Sequence, residues 1–253
     1  EGERAYGGRI FRSLDHSKRL HNSARIMGFE IPFTVEQLEE AKREALAKSG
    51  LESAYVRAIA WRGSEMMGVS AQNNTIHLAV AVWSWGDYFA DKMKGIRMTH
   101  AEWRRPAPDT APCHAKAAGL YMICTLSKHA AEKAGYADAL MLDYRGQVAE
   151  ATGANIFFVR DNALHTPTPD CFLNGLTRQT AIKLAKARQI EVIERAIMPD
   201  ELATFSECFI TGSAAEITPV AEIGAHIYKP AEISHSLVDD YTRLVNGKME
   251  LAL

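Results

Sequence analysis

The sequence lacks the residue spacings that hold structural metals or cross-links. Its four cysteines, Cys113, Cys124, Cys171 and Cys208, form no Cys-x-x-Cys pair. This excludes the common zinc sites and a disulfide framework, and it suits a reducing cytoplasm. The nine histidines include no His-x-x-x-His spacing. No apolar run approaches the ~20 residues of a membrane helix. The opening residues, Glu1-Gly-Glu-Arg4, lack the apolar core of a signal peptide. There is no long basic run, and with a net charge of −2 nothing speaks for nucleic-acid binding. Internal repeats and low-complexity segments are also missing. What is present is ordinary for a soluble globular chain: 253 residues, 47% hydrophobic and 24% charged, enough for one large or two modest domains with a sizeable core.

Taken in order, residues 4–12 read as a hairpin turning at Gly7-Gly8. A helix follows over 14–26, carrying Arg19 among other basic residues. By pattern alone Arg19 is a solvated charge. Thr34 and Gln37 form a capping-box signature for a helix whose face is Val35, Leu38, Ala41, Ala45 and Leu46, stopped by Gly50. Residues 53–62 read as a strand with Tyr55, Arg57, Ile59 and Trp61 on one face. An arginine aligned with aromatics is either a carboxylate clamp or a strand-edge charge. Residues 75–83 read as a strand apolar enough to be buried, followed by an aromatic loop to Phe89 and a strand over 95–104. Three prolines between Arg105 and Pro112 predict an extended linker. The expected organisation is a smaller α/β domain over 1–104, a linker over 105–115, and a larger domain over 116–253.

The stretch from Ala111 to Asn155 concentrates the candidate chemistry. Lys116 stands in small neighbours before a helix over 118–134, whose buried side is expected to be Leu120, Ile123, Leu126, Ala130 and Ala134. A helix N-terminus and partial burial both disfavour an ammonium, which leaves a nucleophilic amine. Glu150 follows 34 residues later, at the end of a strand. A carboxylate there could hold a ring nitrogen protonated. Each residue alone reads equally well as a solvated side chain. Hairpins are expected around Arg145-Gly146 and between 155–160 and 163–166. Gly175-Leu-Thr-Arg178 opens a helix to Arg188, and its start is either an anion site or a simple cap made by Thr177. A strand over 190–197, a short helix from Pro199 and a strand over 207–211 come next. That last strand runs into Gly212-Ser-Ala-Ala215, a turn of small residues suited to a phosphate. The final helix presents Leu237, Val238, Tyr241, Leu244 and Val245 on one face.

Together these pieces resemble the class IV, fold-type IV pyridoxal-phosphate aminotransferases, and among them the branched-chain amino acid type. The resemblance is carried by Glu1-Gly-Glu-Arg-Ala-Tyr6, Arg19-Leu-His-Asn-Ser-Ala24, Ser53-Ala-Tyr-Val-Arg57, Trp83-Ser-Trp-Gly-Asp-Tyr88, Lys116-Ala-Ala-Gly-Leu-Tyr121, Leu142-Asp-Tyr-Arg-Gly-Gln-Val-Ala-Glu150, Asn155-Ile-Phe157, Gly175-Leu-Thr-Arg178 and Thr211-Gly-Ser-Ala-Ala-Glu-Ile-Thr-Pro219. It implies a two-domain α/β (α+β) fold with pyridoxal 5′-phosphate as cofactor, and a homodimer whose partner contributes to the pocket. It also implies roles. Lys116 is the Schiff-base lysine and proton shuttle. Tyr121 lies near the cofactor's phenolic oxygen, and Glu150 lies on its ring nitrogen. Arg19, Leu176, Thr177, Gly212 and Ser213 hold its phosphate. Tyr55, Arg57, Tyr88, Ser213 and Ala214 face the substrate.

The sequence departs from the family at three places. Members carry a segment with pocket aromatics before the motif that begins here at Glu1, so such a segment is expected to precede it. Ala58 replaces the proline of Tyr-x-Arg-Pro, which bears on the backbone after Arg57. Ser213 replaces the threonine of Gly-Thr-Ala and keeps its hydroxyl. The expected reaction is ping-pong transfer of an amino group between a branched-chain α-amino acid and 2-oxoglutarate. The rivals are a D-amino acid or (R)-amine transaminase of the same fold, an aminodeoxychorismate-type lyase, and a binding protein without catalysis.

Overall fold

The computed structural model describes residues 1–86, 88, 89 and 92–253. Asp87, within the Trp83–Tyr88 motif, lies outside the described residues. The chain forms two compact units, residues 1–86 with 114–117 and residues 87–113 with 118–253.

The first unit opens with strands Glu3–Tyr6 (β1) and Arg9–Ile10 (β2). Their turn is Gly7-Gly8, with φ of 54° and 72°. Two successive positive φ values are what a type I′ turn requires, and glycine meets them without a Cβ clash. Helices Ser13–Ile26 (α1) and Val35–Ser49 (α2) follow, then strands Ala54–Arg62 (β3) and Ile76–Ser84 (β4). The sheet order is β2-β1-β3-β4, with antiparallel pairs throughout. The capping box forms as expected: Gln37 N–H donates to Thr34 Oγ1 at 3.2 Å and Thr34 N–H to Gln37 Oε1 at 2.8 Å. Leu20, Ala24 and Leu38 pack with Ala58 beneath the sheet.

Two expectations for this unit are corrected. β4 is an edge strand, and it leaves His77, Ala79, Ala81 and Trp83 exposed instead of buried. α2 buries Leu38, Lys42 and Leu46, while Ala41 is exposed and Ala45 only partly covered. Lys42 is fully buried because two carboxyl groups and a carbonyl meet its ammonium. Its Nζ lies 2.8 Å from Glu3 Oε2, 2.8 Å from Glu39 Oε1 and 3.0 Å from Ser13 O. Such pairing is the condition under which a lysine enters a core.

The second unit contains Ile96–His100 (β5), Tyr121–Lys133 (α3), Asp138–Leu142 (β6), Val148–Ala151 (β7), Asn155–Arg160 (β8), Ala163–Pro167 (β9), Leu176–Ala187 (α4), Val192–Arg195 (β10), Glu207–Gly212 (β11), Glu216–Ile223 (β12), His226–Ile227 (β13) and Glu232–Val245 (α5). The sheet runs β10-β9-β8-β11-β12-β5-β6-β7, and β7 pairs back onto β8. That last pairing closes a ring of strands around Met98, Leu140, Ile156, Phe158, Ile210 and Val220. Both expected hairpins form. The second turns at Asp161-Asn162, with φ of 54° and 60°, the residue types that tolerate such values. α5 buries all five residues of its expected face.

β5 is parallel to both neighbours, β12 and β6. It therefore belongs to the second unit, although the sequence reading placed residues up to 104 in the first. Arg105, at the head of the proline stretch, bridges to Asp143 in the same unit. The division falls after Gly86, and only residues 114–117 go with the first unit. α3 also turns differently from expectation. It buries Cys124, Ser127 and Ala131, while Leu126 and Ala130 are exposed. Small side chains let the helix approach β5 and β6, a preference that apolar spacing does not report.

Candidate active site

In the second unit one row of paired residues crosses the sheet: Met141, Glu150, Asn155, Thr211, Ile217. Directly paired residues share a face. Glu150, Asn155 and Thr211 thus stand together, opposite the face on which Ile156 and Ile210 enter the core. Glu150 Oε2 accepts a hydrogen bond from Asn155 Nδ2 at 3.1 Å. Glu150 Oε1 lies 3.3 Å from Arg105 Nε, which makes no hydrogen bond among the described residues, so that contact is an ion pair without hydrogen-bond alignment. Arg105 also donates from Nη1 to Cys124 Sγ at 3.2 Å. Burial is the largest influence on Arg105 and opposes its charge, but the Glu150 carboxylate together with Cys124, Cys113 and Tyr121 outweighs it and raises the guanidinium pKa. Burial pushes the Cys124 thiol up.

Gly175 caps α4, and its N–H donates to Asn155 Oδ1 at 3.1 Å. A side chain at 175 would collide with that amide. Thr177 is the second helical residue and not the cap; it is buried, as is Leu176. First-turn amides of a helix point outward along its axis and favour an anion, and α4 has no capping side chain to compete. β11 ends at Gly212, where a Cβ would stand 3.4 Å from Gly153 O in the turn between Glu150 and Asn155. Ser213 and Ala214 follow in the turn to β12. The neighbouring Thr211 Oγ1 is buried without a hydrogen-bond partner among the described residues. Tyr121 is the first residue of α3 and contributes to the charge environment of Arg105. Tyr88 packs edge-on against Phe89, with Lys128 Nζ 5.5 Å from its ring centroid. A carboxylate, a glycine-opened anion site and an orphaned hydroxyl along adjoining strand ends fit a phosphorylated heterocycle with a basic ring nitrogen.

The first unit holds the other candidates. Arg19, on α1, donates from Nε to Glu1 Oε1 at 2.9 Å and from Nη2 to Glu1 Oε2 at 2.8 Å. His16 Nδ1 lies 2.7 Å from the same Oε2. Burial raises the Glu1 carboxyl pKa, but Arg19 and His16 overcome this and hold it well below the usual range. Burial lowers His16 to about 4, so it is neutral and donates from Nδ1. Lys116 lies in the four-residue segment that joins this unit, and its backbone N–H donates to the buried Ser23 Oγ at 2.9 Å. Tyr55 packs on Trp83 and Trp85, with centroids 5.1 and 4.5 Å away. Its hydroxyl occupies the space that a side chain at Gly2 would fill. Arg57 is exposed, its guanidinium 5.5 Å from the Tyr55 ring and 5.9 Å from that of Trp83. β3 runs straight through Ala58, which pairs with Val80 and whose carbonyl accepts from the Glu1 amino group at 2.8 Å.

Sequence reasoning missed Arg105, Asn155, Ser23 and the Glu1–His16 pair. Arg105 was hidden by its prolines, which read as linker. Asn155, Ser23 and Glu1 stood inside matched motifs without a role, because what distinguishes them is their hydrogen bonds to other candidate residues.

Residues 1–223 match the family model described as amino-transferase class IV. A probable branched-chain-amino-acid aminotransferase of Rickettsia bellii is 38% identical, aligned over 98% of this chain and 86% of that protein. The branched-chain-amino-acid aminotransferase of Pseudomonas aeruginosa is also 38% identical, over 99% of this chain and 84% of that one. Among solved structures, a branched-chain aminotransferase from Thermoproteus uzoniensis with norvaline superposes with TM-score 0.94 at 35% identity, covering 99% of this chain and 86% of that one. The holo, PLP-form branched-chain amino acid aminotransferase from Thermobaculum terrenum gives a TM-score of 0.91 at 28% identity, covering 98% of this chain and 85% of that one. Since the match spans both units and extends past Ala214, the last of the candidate site residues, the chain belongs to the class IV aminotransferase family.

Proposed function

We propose that this enzyme uses pyridoxal 5′-phosphate to move an amino group between a branched-chain α-amino acid and 2-oxoglutarate. The observation that carries the reading is the partly buried Glu150 carboxylate, flanked by Arg105 and joined through Asn155 to the N-terminus of α4. The branched-chain activity in the names of relatives at 34–38% identity supports the substrate class. When bound, the cofactor supplies an electrophilic carbonyl carbon and a ring that accepts the electron pair left when the α-proton departs. Glu150 would balance the positive charge of its ring nitrogen. The first-turn amides at Leu176 and Thr177, with Gly212, Ser213 and Arg19, would hold the phosphate. Tyr121 would donate to the phenolic oxygen. Lys116 would serve as nucleophile through Nζ and then carry the α-proton. Tyr55, Arg57, Tyr88, Ser213 and Ala214 would orient the substrate, with Arg57 reading a carboxylate.

We also place the enzyme in the cytoplasm, a reading supported by four buried cysteines without a disulfide. Among the described residues no helix is long and apolar enough to cross a membrane. We take it as a homodimer. Met66, Met67 and Val69 protrude from the β3–β4 loop, Met67 fully exposed, and apolar side chains so placed mark an interaction surface.

Borohydride reduction of the cofactor-loaded protein should fix the pyridoxyl group on Lys116 alone, and a label elsewhere refutes the assignment. A donor panel with 2-oxoglutarate and pyruvate as acceptors should favour leucine, isoleucine and valine. Preference for D-amino acids or an (R)-arylalkylamine would support the rival readings.

A further inference from the structure

Asn155 is the residue of the matched motifs whose surroundings are most completely built and which has no part in the chemistry above. It is 4% exposed. Its Nδ2 donates to Glu150 Oε2 at 3.1 Å and to Leu173 O at 3.0 Å. Its Oδ1 accepts from Gly175 N–H at 3.1 Å. Both amide hydrogens and the carbonyl are therefore engaged, which fixes the amide against a flip. The three partners lie in different places: Glu150 at the end of β7, Leu173 in the loop before α4, and Gly175 at the cap of α4. Asn155 is also the residue through which β7 pairs with β8 and β8 with β11 in the row containing Glu150 and Thr211. The collision that a side chain at 175 would suffer shows how closely the cap is drawn onto this amide.

We propose that Asn155 is a positioning residue that couples the two ends of the cofactor site, setting the orientation and charge of the Glu150 carboxylate and the placement of the α4 N-terminus with one side chain. The inference rests on the reading that Glu150 faces the ring nitrogen and α4 faces the phosphate. Asparagine suits both tasks at once. It gives Glu150 a neutral donor, so the carboxylate stays ionised beside Arg105. It gives Gly175 N–H an acceptor, so the cap needs no side chain of its own and its end stays open to an anion. A buried amide with one partner removed leaves the other unsatisfied, which links the fates of the two ends.

Two substitutions separate the tasks. Asn155→Asp keeps an acceptor for Gly175 N–H but sets a second carboxylate against Glu150, and a like charge favours the protonated carboxyl. Asn155→Ala removes both functions. The experiment measures the pyridoxal phosphate dissociation constant by fluorescence titration, the pH dependence of the bound cofactor's absorbance, and kcat against pH, in the wild type and both variants. Asn155→Asp should shift the acid limb of kcat and the spectral titration to higher pH by about one unit or more, with cofactor affinity changed less than about threefold. Asn155→Ala should weaken cofactor binding about tenfold and also lower kcat. If both variants bind cofactor and titrate like the wild type, with only the melting temperature lowered, Asn155 is scaffold and the proposal is wrong. An affinity loss in Asn155→Asp equal to that in Asn155→Ala, without a pH shift, also overturns the coupling. Should Asn155→Ala fail to fold, the pH shift in Asn155→Asp decides alone. A wild-type protein that does not bind pyridoxal phosphate overturns the underlying reading first, and this is distinguishable because it precedes any comparison of variants.

Discussion

Replacing Arg105 by methionine tests the electrostatics around Glu150. The perturbation is well defined: a 4%-exposed guanidinium, whose Nε lies 3.3 Å from Glu150 Oε1 and whose Nη1 bonds Cys124 Sγ, gives way to an uncharged side chain of similar reach. At 3.3 Å and an effective dielectric near 20, the pair interacts by about 5 kcal/mol. Breaking a buried pair by removing one partner costs about 3–5 kcal/mol, because the remaining charge stays in the interior. Glu150 keeps the neutral Asn155 donor on its other oxygen. The sign follows. The cation favours the ionised carboxylate, so its loss favours the protonated one, and activity that needs ionised Glu150 fails at higher pH on the acid side. A neighbouring arginine typically moves a carboxyl by about 1–3 units, so the acid limb of kcat should rise by about one to two. The assay is kcat between about pH 5 and 9 for the wild type, Arg105→Met and Arg105→Lys, with cofactor saturating. Arg105→Lys keeps a charge and should lie between the other two. A uniform fall in kcat with an unmoved acid limb would refute the reasoning and leave Arg105 a packing residue.

Further outcomes are expected elsewhere. Glu150→Gln should retain cofactor binding but lose at least about tenfold in kcat, since a neutral amide cannot balance a protonated ring nitrogen; near-wild-type turnover would remove Glu150 from its role. Arg57→Ala should lower kcat/KM for α-amino acids about 10- to 150-fold, the worth of a charge-assisted hydrogen bond, while a simple amine changes little. Equal losses on leucine and on an (R)-arylalkylamine would make Arg57 a fold residue that rests on Tyr55 and Trp83. Glu3, pushed up to about 7 by burial against the pull of Lys42, binds a proton in the folded state that the unfolded chain has already released above its ordinary value of 4.5. Its contribution to stability is therefore lost as pH rises through about 7, by up to about 3 kcal/mol, and the Glu3→Gln melting curve should lack that decline; an identical pH profile in both proteins would refute it.

The elements were legible in the sequence to the extent that local rules govern them, and the candidate site residues of the second unit lie on such elements. Gly7-Gly8 forces its turn through φ, Thr34 and Gln37 cap each other three residues apart, and Gly175 opens α4. All three signals lie within one turn of the residue concerned, and the structure agrees with them. What was not legible depends on residues far apart in the chain. Lys42 enters the core because Glu3, 39 residues away, meets it there, and no periodicity announces that. β4 looked buried because it is apolar, yet its position at the sheet edge is a fact of strand order. Arg105 sat among prolines that signal a linker, and only the pairing of β5 with β6 and the bridge to Asp143 carry it to Glu150. The same distinction applies within the site. Lys116 and Glu150 are candidates from the sequence because their residue types suggest the chemistry. Asn155, Arg105, Ser23 and Glu1 are contacts of other candidate residues, and such a contact exists only once its partner has a place. A motif match contains both kinds without telling them apart. The hydrogen bonds separate them: Lys116 N–H ends on Ser23 and Arg19 on Glu1, while Glu150 and Gly175 both end on Asn155.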